Sequence, residues 1–534
     1  MLAATSCVPP RFSSRIVQRH IRPAGKPAPV ADTCHCLGHD GSVSVAPTRD
    51  ARAASPAAHP QASIDHRISR KLVPKRMKGM IRLKLLVTLA LVAGVAGLTA
   101  WKRPDRALHV ATANVAQTLC ADVFVSGLAP DRVFAENIAP MQGMHILLPH
   151  LRYAVDTARQ TVTAQWHGRF TSVATYYPGY GCALPTTTPD AATLQAAREV
   201  ASPATTSAAP VVNTDPAIVD ALAHAFAEPA SGPRRNVHAI VVLHDGQLVA
   251  ERYATGFHPD TPQLGYSMSK SVVNALLGIL VRQGKLDMHA MAPVPTWQAL
   301  DDPRHHITLD QLSRMTSGLD LTEDDSGFDP VSNMLFLHKD MAAYAAHAAL
   351  RIPPGTQWEY TSGNTLILGG VLRDAIGGGA SGLIHFAHRE LFDPLGMRHV
   401  LMEFDGAQTL VGSTRIYASA RDWARFGQLY LDDGMLDGRR ILPEGWSAYV
   451  SKQTLNSIYG SGFWTNTGTG ADGSHIITGM PDDAYFASGM NGQRIVIVPS
   501  RRLVIVRLGS TLDPPYFDMR GLLRLINEVS AAVR

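Results

Sequence analysis

The sequence predicts an α/β protein of the α+β type, in which one antiparallel sheet is made from the N- and C-terminal segments of a domain at 215–534, flanked by helices, with a mostly helical lobe inserted between them. Three observations predict it. Near the start of the domain, VHAIVVLHDGQLVAERYATG holds two β-rich runs joined at Asp245-Gly246, a strong short hairpin signal. Near its end, RIVIVPSRRLVIVRLG repeats the pattern around a Pro-Ser-Arg-Arg turn. The long stretch between the two hairpins carries helical rather than alternating periodicity. A helix from about Asp215 precedes the first hairpin, and a last helix at Pro515 to Arg534 follows the second.

Ahead of this domain the chain changes character several times. Residues 1–76 are rich in Pro, Ala, Arg and Ser with no hydrophobic period, the composition of a disordered leader. Residues 77–106 read as a signal anchor or signal peptide: Arg76, Lys78, Arg82 and Lys84 precede an apolar run from Leu85 to Trp101. No A-x-A cleavage pattern follows it, which favours an uncleaved anchor and an extracytoplasmic domain tethered to the inner membrane, and Met77 is an alternative start of translation. Residues 107–185 alternate apolar and polar positions in ADVFVSGL, TVTAQWHGRF and SVATYYPGYGC, predicting a small β-rich region. Cys120 and Cys182 bracket most of it and, in an oxidising compartment, are expected to form a disulfide. A Thr/Ala/Ser/Pro-rich linker at 186–214, with a short helix at Leu194 to Val200, completes the approach.

Charge narrows the partners. Residues 1–106 carry 18 Lys and Arg against 5 Asp and Glu, a balance of +13, so the rest of a chain of net charge +5 stands at −8. The folded part therefore lacks the basic footprint of a nucleic-acid binder, and a small-molecule substrate is expected. Histidines are plentiful, yet His305-His306 and the others show no metal-ligand spacing, so no metal or cofactor is expected.

The chemistry concentrates in three segments. GYSMSKSVVNALLGILVRQGKL places Ser267 and Lys270 three apart at the head of a helix that is apolar nearly all round. Lysine is scarce beyond residue 215, occurring at 270, 285, 339 and 452, and a buried one is costly unless used. Burial favours a neutral Lys270 amine able to take the Ser267 proton, and the N–H groups at the helix start favour the negative oxygen that forms on attack. PPGTQWEYTSGNTLILGGVL sets Tyr360 in a loop before another apolar helix, where a nearby lysine is expected to lower its pKa, with Ser362 and Asn364 available to orient it or the substrate. YFASGMNGQRIVIVP brings Ser488, Gly489, Met490 and Asn491 to the start of a strand, with the Met490 N–H as the second oxyanion donor beside that of Ser267. The acidic run Glu323-Asp324-Asp325 reads as a solvated loop, with attraction of a substrate amino group as the other reading. Gly377 to Gly379 read as a helix stop.

Taken together these segments resemble the serine β-lactamase and penicillin-binding-protein superfamily, in its class C-like branch and nearest the 6-aminohexanoate-dimer hydrolase-like members. ITLDQLSRMTSGLDL, PGTQWEYTSGNTLILGGVL, LFDPLGM and ASARDWARFGQLYLDDG carry the likeness in family order over about 230–510. The resemblance implies a β-lactamase/transpeptidase-like fold and an acyl-enzyme serine hydrolase, an amidase or esterase, with Ser267 as nucleophile and Lys270 and Tyr360 moving its proton. It departs from the pattern twice. Ser362 stands where class C enzymes have Asn, and Ala487-Ser488-Gly489 replaces Lys-Thr-Gly, removing the cation that grips a β-lactam or peptide carboxylate. A D-amino-acid peptidase or β-lactamase on cell-wall-like substrates, and a non-catalytic envelope binding protein, are the competing readings.

Overall fold

Pro104, whose ring pre-sets the backbone angle of a first helical turn, opens helix α1 (Pro104–Cys120). In this computed structural model the described residues are 103–201, 209–468, 477–512 and 518–533, with isolated helical positions at Lys84, Val87 and Thr88. The leader and, but for those positions, the expected anchor lie outside the described residues. Residues Lys102–Arg534 belong to one unit.

The region expected to be β-rich is half helical. Helix α1 runs on through a wider turn at Ala121–Val125, so the ADVFV of ADVFVSGL is helical rather than extended. Its β-branched residues lose to the register of the Ala-rich helix they continue, a tertiary override of local preference. This stretch is long and apolar enough to cross a membrane, yet most of it is buried within the protein. Strands β1 (Leu151–Asp156), β2 (Thr161–Trp166), β3 (Phe170–Tyr177) and β4 (Gly181–Ala183) form an antiparallel sheet in sequence order. Leu119, Val162, Ala164 and Ala174 share the core between α1 and this sheet. The Cys120–Cys182 disulfide is formed and ties the end of α1 to β4.

The linker contains helix α2 (Ala191–Val200), begun by the Asp190 carboxylate accepting from the Thr193 amide. Asp215 likewise caps helix α3 (Pro216–Phe226), where the domain was expected to start; such caps contribute about 1 kcal/mol each. Strands β5 (Val237–His244) and β6 (Gln247–Tyr253) turn at Asp245 and Gly246, which both take positive φ, 47° and 75°, as a two-residue hairpin turn requires. A short strand β7 (Gln263–Leu264) then leads to helix α4 (Ser269–Arg282). The helical lobe supplies α5 (Pro330–Leu337) and α6 (Ser362–Ile376), the latter stopping at Gly377 with φ 77°. Short strands β8 (Leu401–Met402) and β9 (Ile416–Ala418) pair with β7 in the order β7-β9-β8, and helix α8, counting α7 at Gly379–Ala387, spans Ala420–Leu431.

The chain returns to the main sheet with β10 (Trp464–Thr465), β11 (Tyr485–Gly489), β12 (Gln493–Val498) and β13 (Leu503–Gly509), then ends in helix α9 (Met519–Ala532). The six-stranded order is β10-β11-β12-β13-β5-β6, so the two ends of the domain meet where β13 pairs with β5. Alternation decides the faces: Ile240, Val242, Val496 and Ile505 pack under α3 and α9, while Val241, Ile495 and Val504 pack under α4 and α8. Covering both faces explains why these strands read as unbroken apolar runs.

Candidate active site

Helix α4 starts beside β9, and two contacts fix its approach. The Gly265 amide donates to the Ile416 carbonyl at 2.9 Å, and the Ser269 hydroxyl accepts from the Ile416 amide at 3.1 Å. Tyr266 takes φ 47°, a left-handed conformation costly for a tyrosine and maintained because the surrounding packing over-determines the turn. Ser267 lies in a single tight turn at 266–268, two residues ahead of the α-helix that the sequence was expected to begin at Ser267 itself. It is half-buried, open enough to meet a ligand.

Lys270 is 3% exposed, and its amine is within hydrogen-bond distance of the Ser267 hydroxyl (3.1 Å), the Ser362 hydroxyl (3.1 Å) and the Ser413 carbonyl (2.9 Å). Burial pulls its pKa down to about 8, with the carboxylates of Glu323 and Asp325 opposing the fall. Nearly neutral conditions therefore leave a usable fraction of free amine.

Tyr360 follows a turn in which Gly355 takes φ 80° and precedes α6, capped by the Thr361 hydroxyl accepting from the Gly363 amide. Its ring lies over Lys270, the Nζ atom 4.8 Å from the centroid, and its hydroxyl is near enough to Ser267 for that hydroxyl to act on its titration. The expected lowering of its pKa is corrected: burial, then the charge of Glu323, push the Tyr360 phenol up, outweighing the lowering by the Ser267 hydroxyl. A phenol that stays protonated is a donor and relay, which leaves Lys270 as the group whose proton affinity suits a base.

Ser362 belongs to the site through Lys270. Asn364 is corrected from a substrate contact to a packing residue: it is 1% exposed, its carbonyl accepts from Ser317 at 2.8 Å, and its amide points at the Met315 sulfur. At the other wall, β10 covers β11 only at Tyr485 and Phe486, leaving Ala487 to Gly489 without a strand on that side. Ser488 is half-buried there, and the Gly489 carbonyl is held by the Arg494 guanidinium at 2.8 Å. Met490 opens the turn at 490–492 directly after β11. Asn491, with φ 60°, donates to the Tyr266 hydroxyl at 3.3 Å, tying that turn to the one holding Ser267.

Sequence reasoning missed three features. Ser413 contributes a backbone carbonyl, which no side-chain pattern announces. Trp358, Tyr459 and Trp464 join Tyr360 in a cluster with ring centroids 5.2 to 6.4 Å apart, assembled from segments a hundred residues distant. The acidic run is corrected as well: Asp324 is solvated, but Glu323 accepts from both the backbone amide and the hydroxyl of Ser362. Among the described residues no group of three His, Cys, Asp or Glu is placed to hold a metal ion.

Residues 222–528 match the Beta-lactamase family. The chain belongs to that family. It is a β-lactamase-fold hydrolase, and 26% of 306 residues are identical to the 6-aminohexanoate-dimer hydrolase of Paenarthrobacter ureafaciens, over 53% of this chain and 75% of that one. A penicillin-binding-protein homolog from Caulobacter crescentus superposes with TM-score 0.48 and 18% identity, over 60% of this chain and 99% of the other. The class C β-lactamase of Rhodobacter sphaeroides gives TM-score 0.42 and 15% identity, over 59% and 98%. Ser267, Lys270, Tyr360, Ser362 and Met490 all fall within the matched residues.

Proposed function

We propose that this protein is an exported serine hydrolase that cleaves small amides or esters through an acyl-enzyme on Ser267. The observation that carries the reading is the buried Lys270 amine 3.1 Å from the Ser267 hydroxyl. A hydroxyl is a poor nucleophile until a base takes its proton, and a desolvated amine with a pKa of about 8 is such a base. As Ser267 Oγ bonds to the acyl carbon, its proton passes to Lys270, and the negative oxygen meets the N–H groups of Ser267 and Met490. Collapse breaks the C–N or C–O bond, the leaving group takes a proton through Tyr360, and water then releases the acyl group.

Two features bear on the substrate. Ala487 is fully buried where the family's third motif carries a lysine, and the carboxylate of Glu323 supplies negative charge instead, while Asp325, raised to about 7 by burial and by Glu323, adds only part of one. This favours neutral or amine-bearing acyl compounds over β-lactams and peptides gripped by a carboxylate. The likeness to a 6-aminohexanoate-dimer hydrolase supports the same class. Export rests on the basic-flanked apolar run at 85–101 and on the Cys120–Cys182 bond, which persists in oxidising compartments; an uncleaved run would tether the enzyme to the inner membrane.

The test is a screen of nitrophenyl esters, linear amides and nitrocefin against the full chain and Ser267→Ala, Lys270→Ala and Tyr360→Phe. Ester or amide turnover that falls at least about 10²-fold in each variant supports the proposal. Nitrocefin as the best substrate replaces it with the β-lactamase reading, and failure of the wild type to react with a fluorophosphonate replaces it with a binding protein.

A further inference from the structure

We infer that Glu323 is a positioning residue for the Ser267 reaction: by engaging both the amide and the hydroxyl of Ser362, it fixes which way the hydrogen bonds run around the Lys270 amine. The inference rests on the serine-hydrolase reading and deepens it.

The argument is one of donors and acceptors. Lys270 has three polar partners, the hydroxyls of Ser267 and Ser362 and the carbonyl of Ser413. A carbonyl only accepts. Ser362 has one hydroxyl proton, and the Glu323 Oε1 atom stands 3.1 Å away, an acceptor without a proton of its own when ionised. The Ser362 proton is therefore committed to Glu323, and toward Lys270 this hydroxyl presents a lone pair. Two of the three partners are then obliged to accept, and Ser267 is the one left to donate when the amine is neutral. Glu323 thus aims the lone pair of Lys270 at the nucleophile.

The loop is built to keep Glu323 in place. Leu321 is buried against α6, so close that a Cβ on Gly363 would lie 2.6 Å from its side chain. Past the acidic run, Asp329 caps α5 by accepting from the Ser332 amide at 2.8 Å. Between these anchors the other Glu323 oxygen takes the Ser362 amide at the first turn of α6. The ionisable groups facing this carboxylate are Lys270 from α4, Tyr360 ahead of α6, Tyr459 from the aromatic cluster and Asp325 from its own loop. Burial lowers Lys270 and Glu323 is the first of the charges holding it up, so the carboxylate also sets where the base titrates.

Glu323→Gln tests both roles. Its amide oxygen can still take the Ser362 amide proton, but its NH2 then faces the Ser362 hydroxyl and reverses the direction of that bond, while the charge is gone. We expect kcat for a nitrophenyl ester to fall at least about tenfold with KM within about twofold, and the acid limb of the kcat/KM profile to move to lower pH, since an amine relieved of a nearby carboxylate deprotonates earlier. Glu323→Asp, which keeps the charge, should restore the wild-type limb. A purely structural role would lower the thermal midpoint of both variants and leave the limb where it was, and that result, or wild-type kinetics in Glu323→Gln, overturns the inference. If the Gln variant does not fold, Ser362→Ala decides, since it breaks the link between Glu323 and Lys270 while keeping the charge: kcat should fall with the acid limb near its wild-type place, and wild-type kcat in that variant overturns the inference. A wild type inert to esters and fluorophosphonate would sink the serine-hydrolase reading itself, a separate outcome.

Discussion

A Cβ placed on Gly489 would lie 2.2 Å from the carbonyl oxygen of Gly265. The strand end that leads to Met490 is thus pressed against the turn that holds Ser267, with no room for any side chain between. Gly489 has an ordinary extended backbone, φ −120°, so the demand for glycine is steric and not conformational. Gly489→Ala must separate the two walls, and displacement of the proposed oxyanion donor by about 1 Å would cost on the order of 10²-fold in rate. The expected outcome is a kcat loss of that size with reduced fluorophosphonate labelling and a thermal midpoint changed far less; wild-type kinetics would remove Met490 from the site.

The pH dependence follows from Lys270. Burial lowers its pKa to about 8, and the neutral form is the proposed base, so activity is expected above that value and should be lost as pH falls through it. The kcat/KM for an ester is expected to drop about tenfold per unit below the limb and to level above it. Tyr360 contributes no limb in this range because burial moves its phenol up, away from neutrality. Steady-state kinetics from pH 6 to 9, on the order of the range over which this lysine titrates, decide the matter.

Much of this architecture was legible in the sequence. The Asp245-Gly246 hairpin, the paired apolar strands β12 and β13, and the Ser267–Lys270 spacing are local patterns whose meaning does not depend on what lies elsewhere. Residues 107–138 were misread because alternation in ADVFVSGL is weaker than the helical register imposed by α1 ahead of it. Glu323 and Asn364 were misassigned for a different reason. Whether a carboxylate faces solvent or a lysine, and whether an amide faces a substrate or Ser317, depends on partners brought in from other segments, which no spacing along the chain encodes.

Charge in the cleft sets a preference between substrates. Ala487 offers no cation, and Glu323 and Asp325 both act on Lys270 from nearby. Two unit charges about 10 Å apart at an effective dielectric near 20 interact by roughly 1.7 kcal/mol, repelling a carboxylate and attracting an ammonium by that much each, so an acyl compound carrying a carboxylate should be turned over on the order of 10²-fold more slowly than its amine-bearing counterpart. Matched pairs of ω-amino and ω-carboxy esters measure this, and the ratio should shrink as salt is raised. Equal kcat/KM for the pair would show that these carboxylates do not reach the acyl group.

Glu403 joins the helical and stranded N-terminal region to the hydrolase domain. Fully buried, it accepts from the Cys182 amide at 2.7 Å, the Tyr417 hydroxyl at 2.8 Å and the Gln117 amide at 2.9 Å, with Arg415 at 3.9 Å. Cys182 is one end of the disulfide and Tyr417 lies in β9, beside the residue that pins the start of α4. Removing the carboxylate leaves those donors unanswered and the buried Arg415 guanidinium with the Leu335 carbonyl but no counter-charge from Glu403, so Glu403→Ala is expected to cost roughly 3–5 kcal/mol in chemical denaturation. Cys120→Ser, which opens a loop of 62 residues, should cost about 2–4 kcal/mol on its own. Burial raises the Glu403 pKa to about 7, against opposing help from Arg415 and its hydrogen bonds. A carboxyl raised on folding stabilises most when protonated, so this contribution is full below the ordinary glutamate range and is lost as pH rises through about 7. Glu403→Gln, which cannot ionise, should therefore lose less stability than the wild type as pH rises from the ordinary glutamate value of 4.5 to about 7. Parallel stability curves for the two proteins across that window would place the ionisation of Glu403 outside it.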